Sequence, residues 1–576
     1  MWYHILNMIK SLPKILFILS IVILSYTAIL VLINKEFIIE WEIIRPLRIK
    51  IKIELIIEWS NTLYSSIVLL ISTNVILFSN KYIKSDKNSL RFRYIVICFI
   101  ISINMLIFIP NMITLLIGWD GLGITSFILI IYYNNQRSNR AGILTIITNR
   151  LGDTFLIISI VATLNIGDWS IAAGPINNNF HGMQWLGILV AAITKRAQIP
   201  YSAWLPAAIA APTPVSALVH SSTLVTAGVF LLYRLSNIVN KSNPIKVTII
   251  VSRILTMLLA RIRALYENDL KKIIALSTLS QLGLIIVPIS LNLPHITIFH
   301  ISTHAIFKAL LFIRAGCLIS INAHIQDLRI YGQFTNATPI ITASTIISLS
   351  AITRVPFIAG YYSKHAIIEW SSILSINIFI FILLLIRIAM TAIYRLRLLI
   401  IAIRLPIIQP PLFKIYIPKA FSTSLTIIST ISIILGATLQ WLVPLNQYNT
   451  TIFKNNYYSI AINFIILLII LPLCSLTNIN YFCMTSKPLK IIRSLIFTTP
   501  MSTQLIIGPY LILSNLVYKH LDQSWIESVV NLRTIKLVST AGKQGNAALT
   551  DKLGSNLNTA ALITISTILI ITLLCH

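Results

Sequence analysis

The stretch "AAITKRAQIPYSAWLPAAIAAPTPVSALVHSS", residues 191–222, decides how this chain folds. It starts as an apolar helix, places a lysine at Lys195, and then interrupts itself with Pro200, Pro206, Pro212 and Pro214. Each proline removes a backbone donor and breaks the helical hydrogen-bond ladder. At membrane depth such backbone is tolerated where it is buried in protein or lines a cavity. A second interruption, "RVPFIAGYYSKHAII" (354–368), sets Pro356 and Gly360 just before Lys364. Paired broken helices in two parts of one chain point to a transport site between inverted repeats.

Working outward, the rest of the chain supplies the membrane. Of 576 residues, 56% are hydrophobic and only 11% charged, against roughly a quarter charged in soluble domains. Mean hydropathy is +0.85. Apolar runs of about 20 residues, the length of a bilayer crossing, recur with short loops between them. They begin near residues 14, 59, 94, 111, 142, 183, 214, 245, 270, 295, 337, 372, 421, 458 and 561. The expected fold is therefore all-α, a polytopic integral membrane protein with about 15–16 transmembrane helices. The N-terminal run, residues 1–33, lacks the short core of a signal peptide and the Arg-rich amphipathic pattern of a presequence, so it is expected to be a retained span.

The chain carries 45 Lys and Arg against 16 Asp and Glu, a net charge of +29. Much of that excess lies in connections such as "NKYIKSDKNSLRFR" (80–93), as expected of topology-setting loops. Aromatic residues do not interleave with the basic ones in any RNA-binding pattern, so nucleic acid is not an expected partner; the lipid bilayer is. None of the five cysteines forms a CxxC pair, and "GWDGLG" (118–123) has the wrong spacing for a dinucleotide loop. Electron chemistry, if any, belongs to partners.

Against this apolar background a few ionisable residues stand out: Asp120, Asp153, Lys195, His220, His300, His304, Lys308 and Lys364. Asp120 is the only formally charged residue between Arg93 and Arg137. An ionised group at the bilayer centre costs about 3 kcal/mol on insertion scales, so several together suggest a shared hydrated path. "HISTHAIFKALLF" (300–312) places His300, His304 and Lys308 at i, i+4 and i+8, a titratable stripe about 12 Å long. Two His at that spacing also suit zinc, but no nearby Cys, Asp or Glu completes a site and Lys308 would repel the ion. Each residue also has a plainer reading. His220 can be a helix–helix hydrogen bonder, Asp153 can pair with Arg150 three residues earlier, and Lys195 can snorkel. Asp120 has no charged neighbour in its own helix, and Lys195 is its expected counter-charge.

One segment, 476–560, does not read as a span. Within it Leu513, Val517, Leu521, Trp525, Val529 and Leu532 form one helical stripe, read as an interfacial helix. Gly542, Gly545 and Gly554 argue against an unbroken rod.

The segments "LIGWDGLGITSF" (116–127), "NRLGDTF" (149–155), 194–234 from Thr194 to Arg234, "ENDLKKIIALSTLSQLGL" (267–284), "HAIFKALLF" (304–312) and "PFIAGYYSK" (356–364) resemble the chain-5 family of mitochondrial NADH:ubiquinone oxidoreductase, respiratory complex I. The resemblance runs from about residue 90 to 370, with "LDQSWIE" (521–527) marking a weaker likeness beyond. It implies N-terminal transmembrane helices over 1–90 and two antiporter-like five-helix repeats over about 91–290 and 291–445. A late helix and connection then fill 446–507, with an amphipathic lateral helix over 508–560 and a terminal anchor over 561–576. It also implies proton translocation by the eight ionisable residues named above. NAD, FMN, iron–sulfur clusters and ubiquinone would then bind partner subunits, with no cofactor on this chain. The implied partners are other complex I membrane subunits, including the neighbouring antiporter-like chains, in the mitochondrial inner membrane.

Two alternatives remain open on the sequence: a free-standing, multisubunit-type cation/proton antiporter, and a purely structural membrane scaffold, which would have no need of buried charges. The chain also departs from the family pattern. His365 stands where an Asp is usual, and Arg196, Arg314, Arg354 and Arg395 stand where small residues are usual, with Arg261 and Arg263 in a stretch that usually contains Gly. Many animal mitochondria read AGA and AGG as Ser or Gly and AUA as Met, and only 9 Met occur here. Arg196, Arg314 and Arg354 are therefore expected to be small residues in the native chain.

Overall fold

The computed structural model describes residues 2–44, 51–163, 169, 182–236, 243–322, 324–330, 338–353, 355–373, 390–395, 397–399, 418–443, 505–520, 533–550 and 562–569. The chain divides into two compact units, Met1–Thr499 and Pro500–His576.

The first unit is a helical bundle. Its helices are α1 (Trp2–Ile33), α2 (Trp59–Tyr82), α3 (Ser89–Phe108), α4 (Met112–Ile130), α5 (Gln136–Ala162), α6 (Gly182–Lys195) and α7 (Thr213–Arg234). Then follow α8 (Asn243–Tyr266), α9 (Leu270–Ser290), α10 (Pro294–Ile321), α11 (Pro339–Thr353), α12 (Ala359–Ile373) and α13 (Lys419–Leu442). Among the described residues nine helices are long and apolar enough to cross a membrane, and Leu186–Lys195 and Pro339–Thr353 are shorter apolar helices. The spans expected near 372 and 458 lie almost wholly outside the described residues. Of the last one, expected from 561, only 562–569 are described, and they are helical. At 245 the expected helix is present as α8, which carries Lys246, Arg253, Arg261 and Arg263 and is not among the nine.

Local chemistry sets the boundaries. The Asn111 side chain accepts from the Ile113 N–H at 3.1 Å to start α4, and Asn135 and Ser138 form a capping box at the start of α5. Pro294 opens α10, where a missing N–H costs nothing. Ser and Thr inside the bundle, such as Ser66, Ser72 and Thr303, turn their hydroxyls onto the carbonyl three residues back. They thereby enter an apolar interior with their donors met.

Helices α2, α7, α9 and α10 form the centre, and α10 packs against α2, α7, α9, α11, α12 and α13. Close crossings need small residues, because between helices in lipid the packing itself supplies the attraction. A Cβ at Gly360 would overlap the backbone carbonyl oxygen of Ala351, so only glycine lets α12 cross the end of α11. Gly360→Ala should therefore reduce assembled protein severalfold on native gels. A normal band would show that the crossing can relax.

The sequence reading did not foresee an antiparallel hairpin, β1 (Phe37–Ile44) with β2 (Ile51–Ile57), clipped by a Lys52–Glu40 ion pair at 2.6 Å. Its period-two signal is present in "IKIELII" (51–57), where Lys52 and Glu54 alternate with apolar residues. Apart from this hairpin the regular elements among the described residues are helical, as expected.

In the second unit, α14 (Leu505–Val517) and α15 (Arg533–Thr550) are described. The stripe residues Leu521, Trp525, Val529 and Leu532 lie outside the described residues. Helix α15 runs straight through Gly542 and Gly545, against the expectation of a break there. A glycine costs a helix only about 1 kcal/mol, too little to interrupt 18 residues.

Candidate proton-transfer site

The first cluster is built by α4, α5 and the end of α6. Lys195 is the last residue of α6, because the chain turns away towards Pro200. The indole N–H of Trp204, beyond the break, donates to the Thr194 carbonyl at 2.9 Å and so meets one of the acceptors the break exposes. Lys195 is fully buried; its Nζ donates to the Trp119 carbonyl at 2.9 Å and sits 4.4 Å from the Trp119 ring centroid. Asp153, also buried, accepts from Trp119 Nε1 at 2.7 Å.

Asp120 is placed differently from the expectation. Its side chain is 40% exposed, and its ion partner is Arg150, whose Nη1 lies 3.6 Å from Asp120 Oδ2 and 3.5 Å from Asp153 Oδ2. Lys195 contacts neither carboxylate, although both act on it electrostatically. The reason is geometric. Trp119 fills the space next to the ammonium, and Asp120, the following residue, points towards the flank where Arg150 from α5 arrives. The local Arg150–Asp153 pairing anticipated from sequence is present, and it is shared with Asp120.

The second cluster lies on α10. His300, His304 and Lys308 occur on one unbroken helix and are fully buried, the two rings 6.2 Å apart edge to face. His300 Nδ1 lies 2.9 Å from Ser363 Oγ, which is itself 3.0 Å from Thr303 Oγ1. The neighbour from α12 is thus a hydroxyl and not the third ligand that zinc would need. Lys308 Nζ donates to Ser277 Oγ of α9 at 2.5 Å. Neither ring nitrogen of His304 has a hydrogen-bond partner among the described residues. Lys364, beside Ser363, donates to the Ile352 carbonyl at 2.8 Å and lies 4.9 Å from the Phe307 ring. The two broken helices thus use one device: a buried ammonium held by a helix carbonyl and an aromatic face.

His220 is in neither cluster. It sits in the π-helical stretch Ser216–Thr223 that follows Pro212 and Pro214, edge-on to Trp204 at 6.3 Å. π-Helical turns of this kind recur at functional sites. Its two ring nitrogens have no hydrogen-bond partner among the described residues.

Sequence reasoning missed Trp119, Ser277 and Ser363, which make most of the direct contacts. It also missed Glu369, whose Oε1 lies 3.0 Å from His365 Nδ1. A carboxylate is therefore present one turn beyond the position where Asp is usual. For Trp119 and Ser363 the only signal was adjacency to a titratable neighbour, as in "GWDG" and "YSKH"; Ser277 and Glu369 carried none.

Helices broken beside two buried lysines, one of them next to a titratable stripe, define an antiporter-like membrane subunit. The family described as NADH:quinone oxidoreductase/Mrp antiporter, transmembrane region, matches residues 110–391, and the NADH dehydrogenase subunit 5 C-terminus matches 394–575. NADH-ubiquinone oxidoreductase chain 5 of Lumbricus terrestris is 38% identical over 523 residues, covering 89% of this chain and 90% of that protein. The protein of the same name from Aedes aegypti is 38% identical over 536 residues, covering 91% of each. In the Mrp complex from Dietzia sp., a chain superposes with a TM-score of 0.65 at 18% identity, which speaks to the fold alone; the match covers 99% of this chain and 61% of that one. The chain belongs to the NADH-ubiquinone oxidoreductase chain 5 family.

Proposed function

We propose that this chain is a core membrane subunit of NADH:ubiquinone oxidoreductase that moves protons across the mitochondrial inner membrane. Redox energy reaches it from partner subunits, which bind NAD, FMN, iron–sulfur clusters and ubiquinone. Its neighbours are other membrane subunits, antiporter-like chains among them, and the segment 508–560 is the arm that braces them. The repeats 91–290 and 291–445 each contribute one broken helix. Asp120, Asp153 and Lys195 form the gate in the first. His220, His300, His304 and Lys308 carry protons between the two, and Lys364 serves the second.

The observation that carries this reading is the pair of buried ammonium groups, Lys195 at the end of α6 and Lys364 in the second turn of α12, each beside a helix break. Each donates to a helix carbonyl, that of Trp119 for Lys195 and that of Ile352 for Lys364, and lies against an aromatic ring. A lysine held by such contacts keeps a proton available for exchange. The test is proton uptake into inner-membrane vesicles. Uptake should require NADH oxidation, and the chain should co-purify with the NADH-oxidising particle. Sodium-driven proton exchange without NADH, by a chain free of that particle, would establish the antiporter reading instead.

A further inference from the structure

The buried residue with the most telling contacts is one to which the proton path assigns no role. Trp119 has none of its surface exposed and touches the first cluster in three ways. Its Nε1 donates to Asp153 Oδ1 at 2.7 Å, its carbonyl accepts from Lys195 Nζ at 2.9 Å, and its ring lies under that ammonium at 4.4 Å. We propose that Trp119 is a positioning residue through which the charge on Lys195 is mechanically linked to Asp153. This rests on the proton-transfer role of Lys195 proposed above.

The argument follows from what each contact requires. An indole N–H can only donate, so it fixes Asp153 as an acceptor. Attraction to the ring face and the charge-assisted bond to the carbonyl both need the ammonium, and a neutral amine keeps neither at full strength. When Lys195 carries its charge, the indole is pinned from both sides. When the charge leaves, both Lys195 contacts weaken, and the Asp153 hydrogen bond becomes the strongest polar tie on the indole. Asp153 also faces Arg150 at 3.5 Å. A moving indole would therefore hand this carboxylate between two partners. Asp120 meets Arg150 on the outer flank and takes no part in the link.

Two substitutions separate the contacts. Trp119→Phe keeps a ring face for Lys195 and loses the donor to Asp153; Trp119→Leu loses both. With assembly checked on native gels and NADH oxidation measured in parallel, Trp119→Phe should lower protons moved per NADH by roughly tenfold, and Trp119→Leu by more. The link itself is read by coupling. In an Asp153→Ala background, Trp119→Phe should cause no further loss, because the acceptor of the indole N–H is already gone. If the two losses multiply as independent effects, or if both Trp119 variants pump normally, the link is overturned. Should Trp119→Leu fail to assemble, Trp119→Phe and its coupling decide alone. Lys195→Met serves as the reference. Full pumping by that variant refutes the role of Lys195 itself, whereas loss with Lys195→Met alongside normal Trp119 variants refutes only the link.

Discussion

Trypsin should leave the native chain uncut after position 196. Arg196 is completely buried, its Nε donates to the Ala192 carbonyl at 2.8 Å, and Nη1 and Nη2 have no hydrogen-bond partner among the described residues. Arg395 is in the same position, with Nε on Tyr394 Oη at 3.2 Å and both Nη atoms unmet. Arg253, which the sequence alone did not single out, is buried with Nη2 unmet, and the charge of Arg196 acts on it. At about 3 kcal/mol apiece on insertion scales, three such groups would consume much of the roughly 5–15 kcal/mol by which proteins are stable. Other arginines show what a native one looks like here. Arg150 meets two aspartates, Arg263 meets Glu267 at 2.9 Å, and Arg329 grips Asp327. Arg263 therefore leaves the group of suspects, and Arg354 lies outside the described residues. Codons read as Ser or Gly would remove the burden at 196, 253 and 395. Peptide mapping of the chain from its own membranes should find Ser or Gly at these three positions and Arg at 150, 263 and 329. A tryptic peptide ending at residue 196 would falsify the expectation.

The helical bundle was legible because a bilayer leaves the chain few options: long apolar runs become helices, and breaks beside lysines must face the interior. The hairpin escaped because Phe37–Ile44 is too short to be a span, and scanning for length overlooks alternation. At the site, residue identities were readable but pairings were not. Lys308 and Ser277 are 31 residues apart, and His300 and Ser363 are 63 apart. No periodicity within one helix reveals what the next will present. The Asp120–Lys195 expectation missed for the same reason. Charge sign suggests partners, but the bulk of an intervening side chain decides whether they touch, and "GWDG" places that bulk one residue before the carboxylate.

Lys195→Met should assemble and lose most of its proton movement, on the order of tenfold or more for a step that depends on a positioned proton donor. Methionine matches the length and apolar stem of lysine and keeps contact with the Trp119 ring, so packing against α4 survives. It has no proton to exchange and no donor for the Trp119 carbonyl. The carboxylates can then be ranked. Asp120→Asn removes a charge that acts on Lys195 from a distance while facing Arg150, and its shape is nearly unchanged. It should assemble and lose most of the pumping too, whereas Asp120→Glu, which keeps the charge, should retain much of it. If Asp120 were only a hydrogen-bonding partner for Arg150, Asn would serve and Glu would crowd the site, reversing that order. Protons taken up per NADH oxidised, measured beside native-gel assembly, give the order directly. Wild-type pumping by Asp120→Asn would remove Asp120 from the gate and leave Asp153, held by Trp119 and Arg150, as its only carboxylate.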